Sequence, residues 1–251
     1  MLFLALLFVS FQLAVAQTSS LVQPDVAIFY PKDFKAYKTL PSLAVTQDVS
    51  QEKPLPVNWA VKPQFLQIEG KNAVQFTFPE HVDLYGTGEV LGDLRRNGTD
   101  VTLWNTDNYE YGKFEGKQLY QAHPWVLGVR KDGTSFGILA DHSWRQQIVL
   151  DDKVTFISEG PTFRVLVIEK DSPQEVMKAL GELTGTMAMP PLWALGYQQS
   201  RYSYYPDTSV KELADEFRSR KIPADVIWMD IDYMDGFRVF TFDKEGFPDP
   251  K

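Results

Sequence analysis

Between Leu192 and Asp235 the chain follows a pattern that few folds accept: an apolar run, an amphipathic helix signal, and a second apolar run that ends in carboxylates. Val210, Leu213, Ala214 and Phe217 recur at helical spacing, and Lys211, Glu212, Asp215 and Arg218 cover the opposite face. That periodicity predicts a helix from about Thr208 to Arg220, closed by Pro223. The flanking runs, Leu192 to Gln198 and Val226 to Met229, have strand length. Strand, helix, strand in this order is a parallel crossover unit, the repeat from which a (β/α) barrel is built. An entire barrel needs about 250 residues, so this unit reads as the start of one, in a chain that is a piece of something longer.

The second run carries the chemistry. In Ile227-Trp228-Met229-Asp230-Ile231-Asp232-Tyr233-Met234-Asp235 three carboxylates follow an apolar strand. Charges there cost desolvation energy unless they are paired, hydrogen-bonded or waiting for a ligand, and the C-terminal ends of barrel strands are where active sites sit. The competing reading is structural: the aspartates cap loops or pair with Arg201 and Arg238, as ion-pair networks do.

The first two thirds of the chain look different. From about Ala27 to Val167, short runs such as Phe65 to Ile68, Val74 to Phe78, Val126 to Arg130, Phe136 to Leu139 and Phe163 to Ile168 alternate between turn signals. Lys131-Asp132-Gly133 joins two of them as a hairpin would. Frequent glycine and proline punctuation favours a β-sandwich over a parallel sheet. At Ser172-Pro173-Gln174-Glu175 the pattern changes to a capping box that opens a helix to about Leu183, with Gly185 just beyond it. The expected fold class is α+β and multidomain: a sandwich over 17–170, a linking helix and proline-rich connector over 171–191, and the first strands and helix of a (β/α)8 barrel over 192–251.

Composition narrows the function. The formal charge is -8 in 251 residues, with no basic stripe, which argues against a nucleic-acid partner. There is no cysteine, so disulfides, thiolate metal sites and cysteine nucleophiles are excluded together. His81, His123 and His142 are too far apart for a local zinc motif, and no glycine-rich phosphate loop with lysine is present. No cofactor or metal is expected. His123, before Pro124, reads as a packed or hydrogen-bonded loop residue. Residues 1–16 form an apolar run ending in Ala14-Val15-Ala16, a pattern of a secretory leader cleaved before Gln17, although no Lys or Arg follows Met1. Export without a retained membrane anchor is the expectation, with an uncleaved anchor as the rival. Asn97-Gly98-Thr99 is either a glycosylation acceptor or a tight turn.

Several ordered stretches carry a resemblance: Tyr85-Gly86-Thr87-Gly88-Glu89, Trp104-Asn105-Thr106-Asp107, Leu119-Tyr120, Pro190 through Tyr202, Trp228 through Met234, and Phe240-Thr241-Phe242-Asp243. In order and spacing, from about Asp83 to Phe247, the chain resembles glycoside hydrolase family 31, the retaining α-glucosidase and α-xylosidase family. The resemblance implies a galactose-mutarotase-like sandwich ahead of the barrel, with a loop from the sandwich reaching the pocket. It assigns Asp107, Tyr202, Asp230 and Ile231 to the subsite that holds the sugar at the non-reducing end. Asp107 also lies in turn-forming composition, and an Asx turn is its structural alternative. Packing is the reading for Tyr197, Tyr204 and Tyr205. Asp232, just beyond Ile231, is expected to make a structural bond with Arg201 or Arg238.

Asp230 and Asp232 look like the carboxylate pair of a retaining glycosidase, which stands about 5 to 5.5 Å apart. The resemblance argues otherwise, because the family's nucleophile lies in a later Trp-x-Asp-Met-Asn-like motif and its acid/base later still. The catalytic residues are therefore expected beyond Lys251, and these 251 residues alone are expected to be inactive. The implied activity is an exo-acting α-glucosidase acting on α-linked oligosaccharides or glycosides. The alternatives are an α-xylosidase of the same family and a non-catalytic carbohydrate-binding or truncated product.

Overall fold

The computed structural model describes residues 15–35, 42, 53–108 and 118–250. The chain divides into two compact units, Met1–Thr186 and Met187–Lys251. Most of the leader-like run, residues 1–14, lies outside the described residues.

Two antiparallel sheets form the first unit. One contains six strands in the order β1 (Gln17–Gln23), β2 (Val26–Pro31), β11 (Val165–Lys170), β8 (Ser135–Ala140), β7 (Gln118–Arg130) and β5 (Val82–Val90). The other contains β3 (Gln64–Ile68), β4 (Lys71–Thr77), β10 (Lys153–Ser158), β9 (Gln146–Leu150) and β6 (Thr99–Leu103). The sandwich expected from the turn punctuation is present, and Lys131-Asp132-Gly133 does connect β7 to β8. Gly133 takes φ +90 there, and Asp132 Oδ1 accepts from the Thr134 amide at 2.9 Å.

Strand alternation sorts the side chains between faces. Phe29, Val126, Phe136 and Val165 of the larger sheet meet Phe65, Phe76, Ile148 and Phe156 of the smaller in one buried core. The opposite face of the larger sheet carries Ile28, Trp125, Leu139 and Leu166, and α1 (Pro173–Thr184) covers it with Val176, Ala179 and Leu183. Ser172 caps that helix by accepting the Glu175 amide hydrogen at 3.3 Å, as the capping box requires. Trp125 lies across the neighbouring strand where a Cβ on Gly137 would come within 1.9 Å of its ring. Only glycine fits beneath it.

The second unit has a parallel pair, β12 (Gln198–Ser200) and β13 (Val226–Trp228), joined through α2 (Asp207–Ser219). The crossover unit is therefore where the helical periodicity put it. One detail differs: Leu192–Leu195 is a turn of 3-10 helix, and the strand begins only at Gln198. Pro191 enters with φ -66, and the Ala194 and Gly196 amides bond back to the Pro191 and Trp193 carbonyls, so the apolar run coils before it extends.

A buried ion pair ties the sandwich together away from its apolar core. Arg164 Nε donates to Asp141 Oδ2 at 2.7 Å, and Ser42 donates to the same carboxylate through both its amide and its hydroxyl. Both charged residues are almost wholly buried.

Candidate functional site

Asp107 follows β6 in the first unit. It is exposed, and its Oδ1 accepts from the Tyr120 hydroxyl at 2.9 Å. The Tyr120 amide in turn donates to Glu89 Oε2 at 3.0 Å. Glu89 comes at the end of the Tyr85-to-Glu89 stretch, where β5 is irregular: its register against β7 shifts at Gly86 and again at Gly88. Gly86, Thr87 and Gly88 all take positive φ, and a Cβ on either glycine would lie 2.6 Å from a β7 carbonyl oxygen. The stretch is thus a bulge that re-aims the strand end, and through Glu89 and Tyr120 it orients Asp107. In the sequence Tyr120 and Glu89 stand only within matching stretches, and no local signal gives either side chain a role.

Asn97 in the same unit lies in a turn. Its side chain accepts from the Leu84 amide at 2.9 Å and donates to the Val82 carbonyl at 2.8 Å. His123 lies within β7, not in a loop as expected, because the strand runs on through Pro124.

In the second unit, Tyr202 follows β12, and Asp230 and Ile231 follow β13, so all three stand at the C-terminal ends of parallel strands. All three are exposed, Tyr202 at 70%. Asp230 takes φ +64, a left-handed conformation that an aspartate tolerates better than most side chains. The strand-end loops are tied by Ser203 Oγ donating to Asp232 Oδ2 at 2.6 Å, and the strands by Trp228 Nε1 donating to Gln198 Oε1 at 2.8 Å. Asp232 is therefore a structural acceptor, but its partner is Ser203. Arg238 pairs with Asp235 instead, and Arg201 lies over the Tyr204 ring at 5.6 Å.

The tyrosines read as packing divide in the structure. Tyr204 is buried, and Tyr205 meets Phe247 edge-on at 5.8 Å while its hydroxyl donates to Asp243 Oδ2 at 2.7 Å. That bond holds the Asp243 carboxyl below its ordinary pKa. Tyr197 is half exposed, near the Phe217 ring of α2. Among the described residues, no three His, Asp or Glu side chains stand close enough to hold a metal ion.

A sandwich followed by a parallel crossover unit, with carboxylates at the strand ends, defines a sandwich-fronted (β/α)-barrel protein. Residues 64–148 match the glycosyl hydrolase 31 N-terminal galactose mutarotase-like domain, and residues 187–251 match the glycosyl hydrolases family 31 TIM-barrel domain. The chain belongs to glycoside hydrolase family 31. It is 38% identical to alpha-glucosidase 2 of Bacillus thermoamyloliquefaciens over 81% of its own length and 27% of the relative's. A family 31 alpha-glucosidase structure from Bacteroides thetaiotaomicron is 57% identical, with a TM-score of 0.62 over 68% of this chain and 29% of that one. A dextranase of Flavobacterium johnsoniae shares the fold, with a TM-score of 0.74 over 92% of this chain at 22% identity and over 33% of its own. The chain thus spans about a sixth to a third of the length of the relatives it matches.

Proposed function

We propose that the protein to which this chain belongs is a retaining α-glycosidase, an exo-acting α-glucosidase that releases glucose from the non-reducing ends of α-linked oligosaccharides. The observation that carries the reading is Asp230: an exposed carboxylate in a left-handed conformation at the C-terminal end of a parallel strand. The name alpha-glucosidase on the relatives from Bacillus thermoamyloliquefaciens and Bacteroides thetaiotaomicron supports it.

In this reading Asp230 accepts hydrogens from sugar hydroxyls, and such charge-assisted bonds are about twice as strong as neutral ones. Ile231 and the Tyr202 ring offer apolar surface to the sugar's C–H bonds. Asp107 accepts a further hydroxyl while Tyr120 fixes the rotation of its carboxylate. Bond cleavage falls to carboxylates beyond these residues. Export is proposed from the apolar leader before Gln17; the Val15 amide and Ala16 carbonyl already bond to Phe65 and Lys32, and the mature N-terminus would identify the cut.

The test is hydrolysis by the product of the reading frame that contains these residues. Turnover of p-nitrophenyl α-glucoside in preference to the α-xyloside is expected, and Asp230→Asn should lower kcat/KM by about 100-fold or more, from the loss of two charged hydrogen bonds. Preference for the xyloside, or an unaffected Asp230→Asn enzyme, would overturn the assignment.

A further inference from the structure

Asp107 is held from both sides by the first residues of β7. The Thr106 amide donates to the Leu119 carbonyl at 2.8 Å, and Asn108 Nδ2 donates to the Gln118 carbonyl at 3.4 Å. Between these two ties the Asp107 carboxylate accepts from the Tyr120 hydroxyl through Oδ1. Asn108 is 2% exposed and anchors the segment, whereas Asp107 stays exposed. The aspartate thus has a fixed backbone, one oxygen engaged by the protein, and a second oxygen to offer a ligand.

The register of β5 against β7 shows what places Tyr120. Gly88 pairs with Ala122 and Val90 with Gln118, which sets Leu119, Tyr120 and Gln121 opposite Glu89 alone. In an unbroken antiparallel ladder a β5 carbonyl would receive the Tyr120 amide. Here the amide donates to the Glu89 carboxylate instead, at 3.0 Å. A charged acceptor makes that bond stronger than a peptide carbonyl would. Gly86 and Gly88 permit the irregularity, since their positive φ and their approach to the Trp125 and Gln121 carbonyls leave no room for a side chain. The Glu89 side chain therefore does the work of the strand that the bulge displaced.

We propose that Glu89 and Tyr120 are specificity-determining positioning residues, which let the Asp107 carboxylate tell a sugar hydroxyl from its epimer. The inference rests on the reading of Asp107 as a sugar contact. With Oδ1 held by Tyr120, Oδ2 accepts along one direction, and a hydroxyl of opposite configuration lies off that direction. Both residues act through Asp107, by removing its freedom to turn. Released from Tyr120, the carboxylate turns to meet either configuration, so selectivity falls further than affinity.

The test uses the full-length product of the reading frame, with turnover of p-nitrophenyl α-glucoside reporting the Ki of glucose and of its epimers galactose and mannose. The wild type is expected to bind glucose more tightly than at least one epimer. Tyr120→Phe, which removes only the hydroxyl, should lower that selectivity by about 10-fold, and Glu89→Leu by a similar factor. Glu89→Gln keeps a side-chain carbonyl for the Tyr120 amide and should restore most of it. In an Asp107→Ala background Tyr120→Phe should lower it no further, because the two residues act as one unit. Circular dichroism checks each fold, and Tyr120→Phe carries the test if Glu89→Leu does not fold. The proposal is overturned if the wild type shows no selectivity, or if folded Tyr120→Phe or Glu89→Leu keeps it within about twofold. It also falls if Glu89→Gln restores nothing, or if the loss in Tyr120→Phe adds to that in Asp107→Ala, as a merely structural role would have it. Preference for the α-xyloside would overturn the α-glucosidase reading alone, and xylose and its epimers then take the place of glucose in the same comparison. Turnover of neither glycoside overturns both.

Discussion

In the sandwich, β8 buries all six of its residues and β11 its first four, whereas β12 and β13 of the second unit bury none. The difference lies in what faces the strands. The larger antiparallel sheet has the smaller one on its inner side and α1 on its outer side. Parallel strands need both faces covered, and within the second unit Trp193, Trp228 and Leu195 stay largely exposed. The strand ends that carry Tyr202, Asp230 and Ile231 thus belong to the unit with few buried anchors, chiefly Tyr204, Ala224 and Phe247. Stability in this chain comes from the sandwich, while the crossover unit supplies positions.

The comparison can be broken by substitution. Phe156→Ala, at the centre of the sandwich core, should cost about 3–5 kcal/mol in a urea titration; a loss below about 1 kcal/mol would mean that the sandwich is not the stable unit. Asp141→Ala leaves Arg164 buried without its carboxylate and should cost a comparable amount, again about 3–5 kcal/mol. Next in size is a pH effect. His142 has a folded pKa of about 4 against an ordinary 6.5, so the unfolded chain binds the proton more tightly between those values. The stability that neutral His142 provides is complete above about pH 6.5 and falls as pH drops toward 4, by about 3 kcal/mol at most. A His142→Asn variant should lose that slope, and an unchanged slope would assign it to other groups. Ser172→Ala removes the cap of α1 and should cost about 1 kcal/mol. Smallest of all, Trp228→Ala in the exposed pair should cost less than about 1 kcal/mol in this chain; a larger loss would show that the second unit is better anchored than its burial indicates.

How far the sequence could be read depended on whether the deciding contacts were local. The capping box at Ser172, the hairpin at Lys131 to Gly133 and the helical stripe of Val210 to Phe217 are short-range signals, and each yielded its element within a residue or so. Leu192 to Leu195 misled because an apolar run of strand length cannot show that Pro191 and Gly196 will coil it first. At the candidate site, the place of Asp230 at a strand end was legible because its carboxylate directly follows an apolar run of strand length. The Glu89 to Tyr120 to Asp107 chain was not, since its links cross 31 and 13 residues and depend on a bulge. Asp232 shows a third case: its structural role could be read, but its partner could not, because Ser203 offers no charge to advertise itself.

Gly137 has a consequence beyond packing. Since the Trp125 ring fills the place of its absent side chain, the depth of the hollow lined by Trp125, Leu139, Met177 and Leu180 is set by a residue that does not line it. Alanine at this position would push the indole off the sheet and into that hollow. Capacity here is encoded by subtraction, so a single methyl group added on a neighbouring strand would close the hollow without altering any side chain in its wall.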